Sequence, residues 1–134
     1  LFGNYQYGIA LGLQVAGVPV ILGVLWWISL CGFGQWMDRI AQLRGQVSPR
    51  WLRAVVGASF MTVLDGLIEP VAIRADWWSW EGGNVPWTNY ASWWGVAFLF
   101  YCLPHRTSKN MGAATLVAIF AVFFILLNGL KWNP

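Results

Sequence analysis

The sequence predicts an all-α fold, a polytopic bundle of about four helices that cross a membrane. Hydrophobic residues make up 58% of the 134 residues and charged residues only 10%, against about 25% charged residues in a typical soluble domain. Eight basic and five acidic residues are too few to cover a soluble globule of this size. The high hydrophobicity also excludes an intrinsically disordered chain. The apolar residues are gathered into four stretches, each of roughly the length that spans a bilayer core.

The first two helices follow from the positions of the charges and from one helix-start motif. No charge occurs before Asp38, and we expect the first helix at about residues 8–33. The second is expected at about residues 54–73, after Ser48 and Pro49. Serine as a cap and proline in the first turn are both favourable at the start of a helix.

The third and fourth helices are expected at about residues 90–104 and 110–130, neither of which contains a charged residue. Together the four helices leave no room for a soluble domain, so residues 1–134 form a single integral-membrane domain. The chain starts at Leu1, already within a hydrophobic run. A signal peptide would instead begin with a charged segment, followed by a short apolar core and a cleavage site. We therefore expect the chain to be the C-terminal part of a longer protein.

Basic residues are concentrated in two connections, and this predicts the orientation of the bundle. Six of the eight bases lie in the loops 35–53 and 105–110, and the other two are Arg74 and Lys131. By the positive-inside rule, both basic loops are cytoplasmic and both termini lie on the other side of the cell inner membrane. Because these loops account for the net charge of +3, nucleic-acid binding is not expected.

Asp65 and Glu69 are the most informative residues, since each lies within a predicted membrane helix. A carboxylate at that depth costs about 2.5 to 3.5 kcal/mol on insertion scales, so it needs a partner, a proton or a function. The spacing of four residues puts both on one helix face, and Pro70 should kink or end the helix just after them. A purely structural alternative pairs Glu69 with Arg74 and hydrogen-bonds Asp65 to Tyr or Trp. Holding the helices together would not require two carboxylates in one helical turn. The repulsion between the two carboxylates is expected to keep one of them protonated.

Two segments rich in aromatic and polar residues should meet the second helix at its non-cytoplasmic end. One spans residues 76–94, and the other is the Gly-Asn-Tyr-Gln-Tyr-Gly run at residues 3–8. A belt of Trp and Tyr at headgroup level is common in membrane proteins, but the acids and the Gly-Gly-Asn-Val-Pro turn are more typical of a loop that covers a pocket. The spacing Gly8-x-x-x-Gly12 predicts close approach of another helix.

A set of motifs occurs in a fixed order along the chain: Gly3-Asn4-Tyr5-Gln6-Tyr7-Gly8, Gly12, Gly17-Val18-Pro19, Trp26, Asp65-x-x-x-Glu69-Pro70-Val71-Ala72, Trp78-x-Trp80 and Val85-Pro86-x-x-Asn89-Tyr90-x-x-Trp93. Over roughly residues 2–95 these motifs resemble the membrane carotenoid-biosynthesis protein family. That family includes carotenoid 1,2-hydratases of the gamma-carotene 1'-hydratase and bisanhydrobacterioruberin hydratase type. Its members are generally longer, with further membrane helices upstream, and the present chain departs from them in this respect.

The resemblance implies a hydro-lyase that uses no cofactor. Such an enzyme adds water across the terminal C1=C2 double bond of an acyclic carotenoid end group and gives a tertiary alcohol. The implied partners are a carotenoid of the lycopene, gamma-carotene or bisanhydrobacterioruberin type, the lipid bilayer and other carotenoid enzymes. With one His and no thiolate cluster in the sequence, a His/Cys metal site of the usual kind is not expected.

The residues suit this chemistry, because an isolated alkene is a poor base and needs a strong acid beside it. We hypothesise that Asp65 is the proton donor and that Glu69 or Asp76 holds and deprotonates the water, although the roles of Asp65 and Glu69 could be exchanged. Aromatic faces can stabilise the tertiary cation. The expected substrate-binding residues are all polar or aromatic: Asn4, Tyr5, Tyr7, Trp78, Trp80, Asn89, Tyr90 and Trp93.

Two other functions remain open from the sequence. A small membrane-type lycopene cyclase would use the same acid, but a double bond of the polyene itself would capture the cation and form a ring. A pigment-binding subunit without catalytic activity would use the carboxylates only to hold its structure. The product separates these functions, because hydration adds one water to the carotenoid whereas cyclisation and binding do not.

Overall fold

A computed structural model describes the chain over residues 4–45, 48–104 and 109–130. It has four α-helices in this part of the chain: α1 Val20–Arg44, α2 Arg50–Arg74, α3 Trp87–Cys102 and α4 Gly112–Gly129. By length and composition, α1, α2 and α4 are long and apolar enough to cross a membrane. The prediction of an all-α membrane bundle is confirmed, although α3, with 16 residues, is not among these three candidate spans.

The predicted start of the first helix is wrong, because residues 8–33 do not form one continuous helix. The chain first makes a short hairpin in which β2 (Gln14–Val15) pairs antiparallel with β3 (Val18–Pro19), and α1 begins only at Val20. Gly17 in the hairpin turn has φ = 78°, a left-handed conformation that a helix does not contain. The proline that ends β3 has no N–H to donate, so it suits a position just before a helix.

The predicted end of the first helix is also wrong, since α1 continues to Arg44 rather than stopping near residue 33. The apolar run marks the part of a helix that fits a bilayer, whereas charged residues such as Asp38 and Arg39 extend the same helix beyond it. Gly45 stops α1 by adopting φ = 61°, and its N–H reaches the carbonyl of Ala41. A left-handed glycine of this kind is a common helix end.

The other three helices lie within a few residues of the predicted ranges 54–73, 90–104 and 110–130. The residue before α2 is Pro49, with no side-chain cap, so Ser48 does not cap the helix as expected. The alternative in which the second helix ends at Glu69 is wrong, because α2 continues through Pro70 to Arg74.

Within the bundle, α2 packs chiefly against α3, and α1 against α4. The α2–α3 contact is made by small residues, with Ala54 and Ala58 of α2 and Ala97 of α3 fully buried. Small side chains let two membrane helices approach closely, which strengthens their van der Waals contact. Tyr101 of α3 also donates a hydrogen bond of 2.8 Å to the carbonyl of Leu30 in α1.

The α1–α4 contact includes a buried polar side chain that stabilises the start of α4. The Oε1 of Gln35 accepts a hydrogen bond of 2.9 Å from the N–H of Ala114. Trp36 donates its indole N–H to the backbone carbonyl of Ala114 at 3.1 Å. The first N–H groups of a helix have no partner within the helix. Gln35 provides one for the N–H of Ala114, and the same hydrogen bond links α4 to α1.

A second two-stranded sheet covers the end of the bundle where α2 finishes. Its strands are β1 (Tyr5–Tyr7) and β4 (Trp78–Trp80), which pair antiparallel. Side chains alternate across a strand, so the aromatic residues of both strands share one face and Gln6 and Ser79 lie on the other. A Cβ at Gly8 would overlap the Asp76 carbonyl oxygen. Glycine at position 8 therefore permits contact between its own backbone and that of Asp76. The predicted role of Gly8-x-x-x-Gly12 in helix–helix contact is wrong, because neither glycine lies in an α-helix.

Two glycines of α2 provide a matched test of the α2–α3 packing. A Cβ at Gly57 would overlap the ring of Tyr101, whereas a Cβ at Gly66 would meet open space. We expect Gly57→Ala to lower the free energy of unfolding by about 1–3 kcal/mol, the usual cost of overpacking. Gly66→Ala should be neutral or stabilising by up to about 1 kcal/mol, because alanine is the better helix former. Unfolding in detergent, followed by helical circular dichroism, measures both. Equal effects of the two substitutions would contradict this packing.

Candidate active site

A small polar pocket of about 50 Å³ lies beneath the β1–β4 sheet, at the end of the helical bundle. A cavity of this size has room for about one or two water molecules. Side chains from both strands and from three helices line it: Tyr5, Tyr7, Leu22, Trp26, Asp65, Glu69, Trp78, Trp80, Asn89 and Trp93. Most of the residues selected from the sequence therefore meet at one place, although they are distant along the chain.

Glu69 is the most strongly hydrogen-bonded acid in the pocket. Its side chain is only 3% exposed. Its Oε2 accepts two indole N–H bonds, from Trp78 at 2.9 Å and from Trp80 at 3.1 Å. Because the two tryptophans are two residues apart on β4, both rings point to the same side of the sheet. The sequence analysis predicted that both tryptophans bind substrate, and that role stays a prediction. The structure shows that both hold Glu69.

Asn89 connects the two acids of the pocket. It lies in the first turn of α3, and its Nδ2 is 3.4 Å from Oδ2 of Asp65 and 3.4 Å from Oε1 of Glu69. These contacts are longer than the usual 2.7–3.2 Å for N–H···O bonds. Asp65 is 9% exposed and sits one helical turn before Glu69. The prediction that Asp65 and Glu69 share one face of α2 is confirmed. Asn89 is the group that bridges the two carboxyl groups.

The predicted pairing of Glu69 with Arg74, one part of the structural alternative, is wrong. Arg74 donates instead to the side-chain oxygen of Asn128 in α4, at 3.1 Å. In the part of the chain that the structure describes, the pocket lining contains no basic side chain. The described salt bridge joins Arg53 to Asp38 at 2.5 Å, near the α1–α2 connection. Asp65 and Glu69 are thus two buried acids stabilised by neutral donors.

Apart from Leu22, the remaining walls of the pocket are aromatic. Tyr7 donates to the Tyr5 hydroxyl at 3.4 Å, and burial, together with that neighbour, raises the pKa of Tyr7 above its usual value. Tyr7 is therefore a neutral hydroxyl at physiological pH. On the other side, Trp26 of α1 stacks on Trp93 of α3 with ring centroids 4.0 Å apart. Such faces attract cations.

Three residues selected from the sequence do not line the polar pocket. Asp76 lies in the turn after α2 with φ = 53°. Asn4 donates a hydrogen bond of 2.7 Å to Glu81 on the exposed side of the sheet. Tyr90 follows Asn89 in α3 and is half-buried. Their predicted roles remain predictions, and the structure groups the other eight selected residues without them.

A larger apolar cavity of about 490 Å³ adjoins the polar pocket, between α1, α2 and α4. Its α1 and α4 walls consist of Ile21, Leu22, Leu25, Trp26, Ile119, Phe120, Phe123 and Phe124. The rest of the lining consists of Leu11, Asp65, Ile68, Trp77 and Trp78. Asp65 is the one charged residue among these side chains. The sequence did not indicate the α4 wall, because α4 has no motif and almost no polar residue.

Four side chains belong to both cavities, namely Leu22, Trp26, Asp65 and Trp78. Glu69 and Asn89 border only the polar pocket. Within residues 4–45, 48–104 and 109–130, no group of three or more His, Cys, Asp or Glu side chains is placed to hold a metal ion. Two acids joined by an amide can donate a proton at one carboxyl and accept a proton at the other.

Comparison with known proteins adds one finding to this geometry. The sequence model of a family described as "carotenoid biosynthesis protein" matches residues 1–132, nearly the whole chain. Neither a curated protein nor a solved structure gives a match. The matched region contains the acids of α2, the aromatic sheet and the α4 wall of the apolar cavity. The chain belongs to the carotenoid biosynthesis protein family.

Proposed function

We propose that this protein hydrates the terminal C1=C2 double bond of an acyclic carotenoid end group. The observation that carries the proposal is the position of Asp65, in the wall shared by a small polar pocket and a larger apolar cavity. A hydration reaction needs this combination, because an apolar alkene and a water molecule must meet at one acid. Membership of the carotenoid biosynthesis family supports a carotenoid as the apolar substrate.

The first step is protonation of the alkene by Asp65. The acid transfers its proton to C2, the π bond breaks, and a tertiary cation remains at C1. Asp65 suits this step because the apolar cavity that it borders favours a neutral carboxylic acid over a carboxylate. Its proton can then reach a carbon atom that a carboxylic acid in bulk water, ionised at neutral pH, would not protonate readily. General acid catalysis of this kind contributes about a hundredfold to ten thousandfold to a rate.

The second step is capture of the cation by water. Glu69 borders the polar pocket and accepts hydrogen bonds from two indoles, an arrangement that suits an anion. A water molecule beside it can add its oxygen to C1 while Glu69 takes one of its protons. Return of that proton from Glu69 to Asp65, across the position of Asn89, completes the cycle. The net reaction consumes one alkene and one water and forms one tertiary alcohol.

The aromatic walls stabilise the intermediate between the two steps. Trp26 and Trp78 border both cavities, so their rings are beside the position where the cation forms. A cation near an indole face gains about 1–2 kcal/mol when it is removed from water. The stacking of Trp26 on Trp93 and the bond from Trp78 to Glu69 fix both rings before the substrate binds.

The test is expression of the protein in a host that makes lycopene, with an empty-vector strain as the control. Mass analysis of the pigments should show a product heavier by one water, with the acyclic polyene otherwise intact. A ringed product of unchanged mass would indicate the cyclase instead, and an unchanged pigment would indicate a binding subunit. Either of these two results would contradict the proposal.

A further inference from the structure

The apolar cavity is exposed on one side and buried on the other. At its rim, Ile21 of α1 is 43% exposed, and Ile119 and Phe123 of α4 are 56% and 49% exposed. At its inner end, Trp78 is 8% exposed and Asp65 is 9% exposed. The cavity therefore leads inward from an apolar rim between two helices to the acid at its floor.

The rim lies on membrane helices rather than in a loop. Both α1 and α4 are long and apolar enough to cross a membrane, so the gap between them opens toward lipid. Apart from Asp65 at the floor, the lining carries no charged side chain that could hold a polar headgroup. A volume of about 490 Å³ is in the range of pockets that bind small molecules, roughly 300–1,000 Å³. Its complement is an apolar chain dissolved in the bilayer.

We propose that the gap between α1 and α4 is a lateral portal through which an acyclic isoprenoid chain passes from the lipid, terminal group first, to Asp65. The inference rests on the proposed hydration and assigns its substrate site to α4, a helix without recognisable motifs. The polar pocket lies on the other side of Asp65, beneath the β1–β4 sheet, so the alkene and the water reach the acid from different sides.

The α4 wall of the portal is held in place by aromatic contacts that run from the rim inward. Phe124 is in edge contact with Trp77 at a centroid distance of 6.3 Å, and with Phe123 at 5.3 Å. A wall fixed in this way limits the width of the group that can reach Asp65.

The test compares substitutions at the rim with substitutions on the same helix outside the cavity. Ile119, Val122 and Leu126 are all 56% exposed, but only Ile119 lines the cavity. Each is replaced by Trp, and Ile119→Ala serves as the opposite change in size. The proteins are purified in nanodiscs from a host that makes lycopene, and two quantities are measured: the carotenoid retained per protein, from its absorbance, and the yield of hydrated product.

We expect Ile119→Trp to lower both retained carotenoid and product by at least about tenfold, because added bulk opposes passage and binding. Val122→Trp and Leu126→Trp should stay within about twofold of the parent protein, since neither fills the cavity. Ile119→Ala should retain at least as much carotenoid as the parent, because it widens the rim. This opposite response to large and small side chains at one position would not follow from misfolding.

The results also separate the portal from the reaction. If Ile119→Trp retains as much carotenoid and forms as much product as Leu126→Trp, the portal is wrong whether or not the protein is a hydratase. If the parent protein retains carotenoid and Ile119→Trp loses it, but no variant forms a hydrated product, the portal is supported and the proposed hydration is wrong.

Discussion

Replacement of Asp65 by Asn is expected to abolish the hydrated carotenoid while the protein still inserts into the membrane. Asparagine has nearly the shape of aspartic acid, and its carbonyl can still accept the hydrogen bond from Asn89. It has no acidic proton, however, so protonation of C2 stops. Loss of a general acid lowers a rate by about a hundredfold or more. The measurement is the ratio of hydrated to unmodified carotenoid, together with the amount of protein in the membrane fraction.

The matched control for this variant is Asp38→Asn in α1. Asp38 forms an ion pair with Arg53 near the α1–α2 connection, away from the polar pocket. A partly exposed pair of this kind contributes roughly 0–1 kcal/mol, so the control should keep its product yield within about twofold. Unchanged hydration in Asp65→Asn, at equal protein level, would remove Asp65 from the mechanism.

Replacement of Glu69 by Gln is expected to lower both hydration and stability. The carboxylate accepts N–H groups from Trp78, Trp80 and Asn89. An amide has one oxygen in place of two, so its NH₂ group must face at least one of these donors. An unsatisfied buried donor costs about 1–3 kcal/mol, and the water loses the base that takes its proton. We expect the product to fall about a hundredfold. The free energy of unfolding should fall by about 1–3 kcal/mol, the cost of the unsatisfied donor.

The control for the second variant is Glu81→Gln. Glu81 is an acid on the exposed side of the β1–β4 sheet, where it accepts a hydrogen bond from Asn4. Its replacement should change the product yield by less than about twofold, because surface substitutions usually have small effects. If Glu69→Gln forms product at the parent rate, water activation must be assigned to another group.

The sequence predicted the membrane bundle well because its signal is long and additive. Runs of about 20 apolar residues identify membrane helices from length alone, and three helices agree closely with their predicted ranges. The first helix failed for a different reason. Residues 4–19 are uncharged and therefore resemble a membrane segment, but the left-handed Gly17 and the imino nitrogen of Pro19 turn the chain into a hairpin.

The acids of the site could be predicted because a carboxylate is conspicuous within a membrane helix and because a spacing of four residues fixes a common face. The partners of these acids could not be derived in the same way. Trp78 and Trp80 are consistent with a headgroup belt, with a substrate wall or with hydrogen-bond donors, and only the pairing of β1 with β4 shows that they reach Glu69. The contribution of α4 depends on which apolar face packs inward, and tertiary contacts alone decide that.

Isotope labelling of the added oxygen shows whether the protein adds water to the carotenoid. The purified protein in nanodiscs is incubated with lycopene in water enriched in ¹⁸O, and the pigments are analysed by mass spectrometry. We expect the parent protein to form a tertiary alcohol whose hydroxyl carries ¹⁸O in proportion to the enrichment of the water, and Asp65→Asn to form none. A lycopene that retains its mass with the parent protein, or an alcohol that lacks the label, would contradict the proposed hydration.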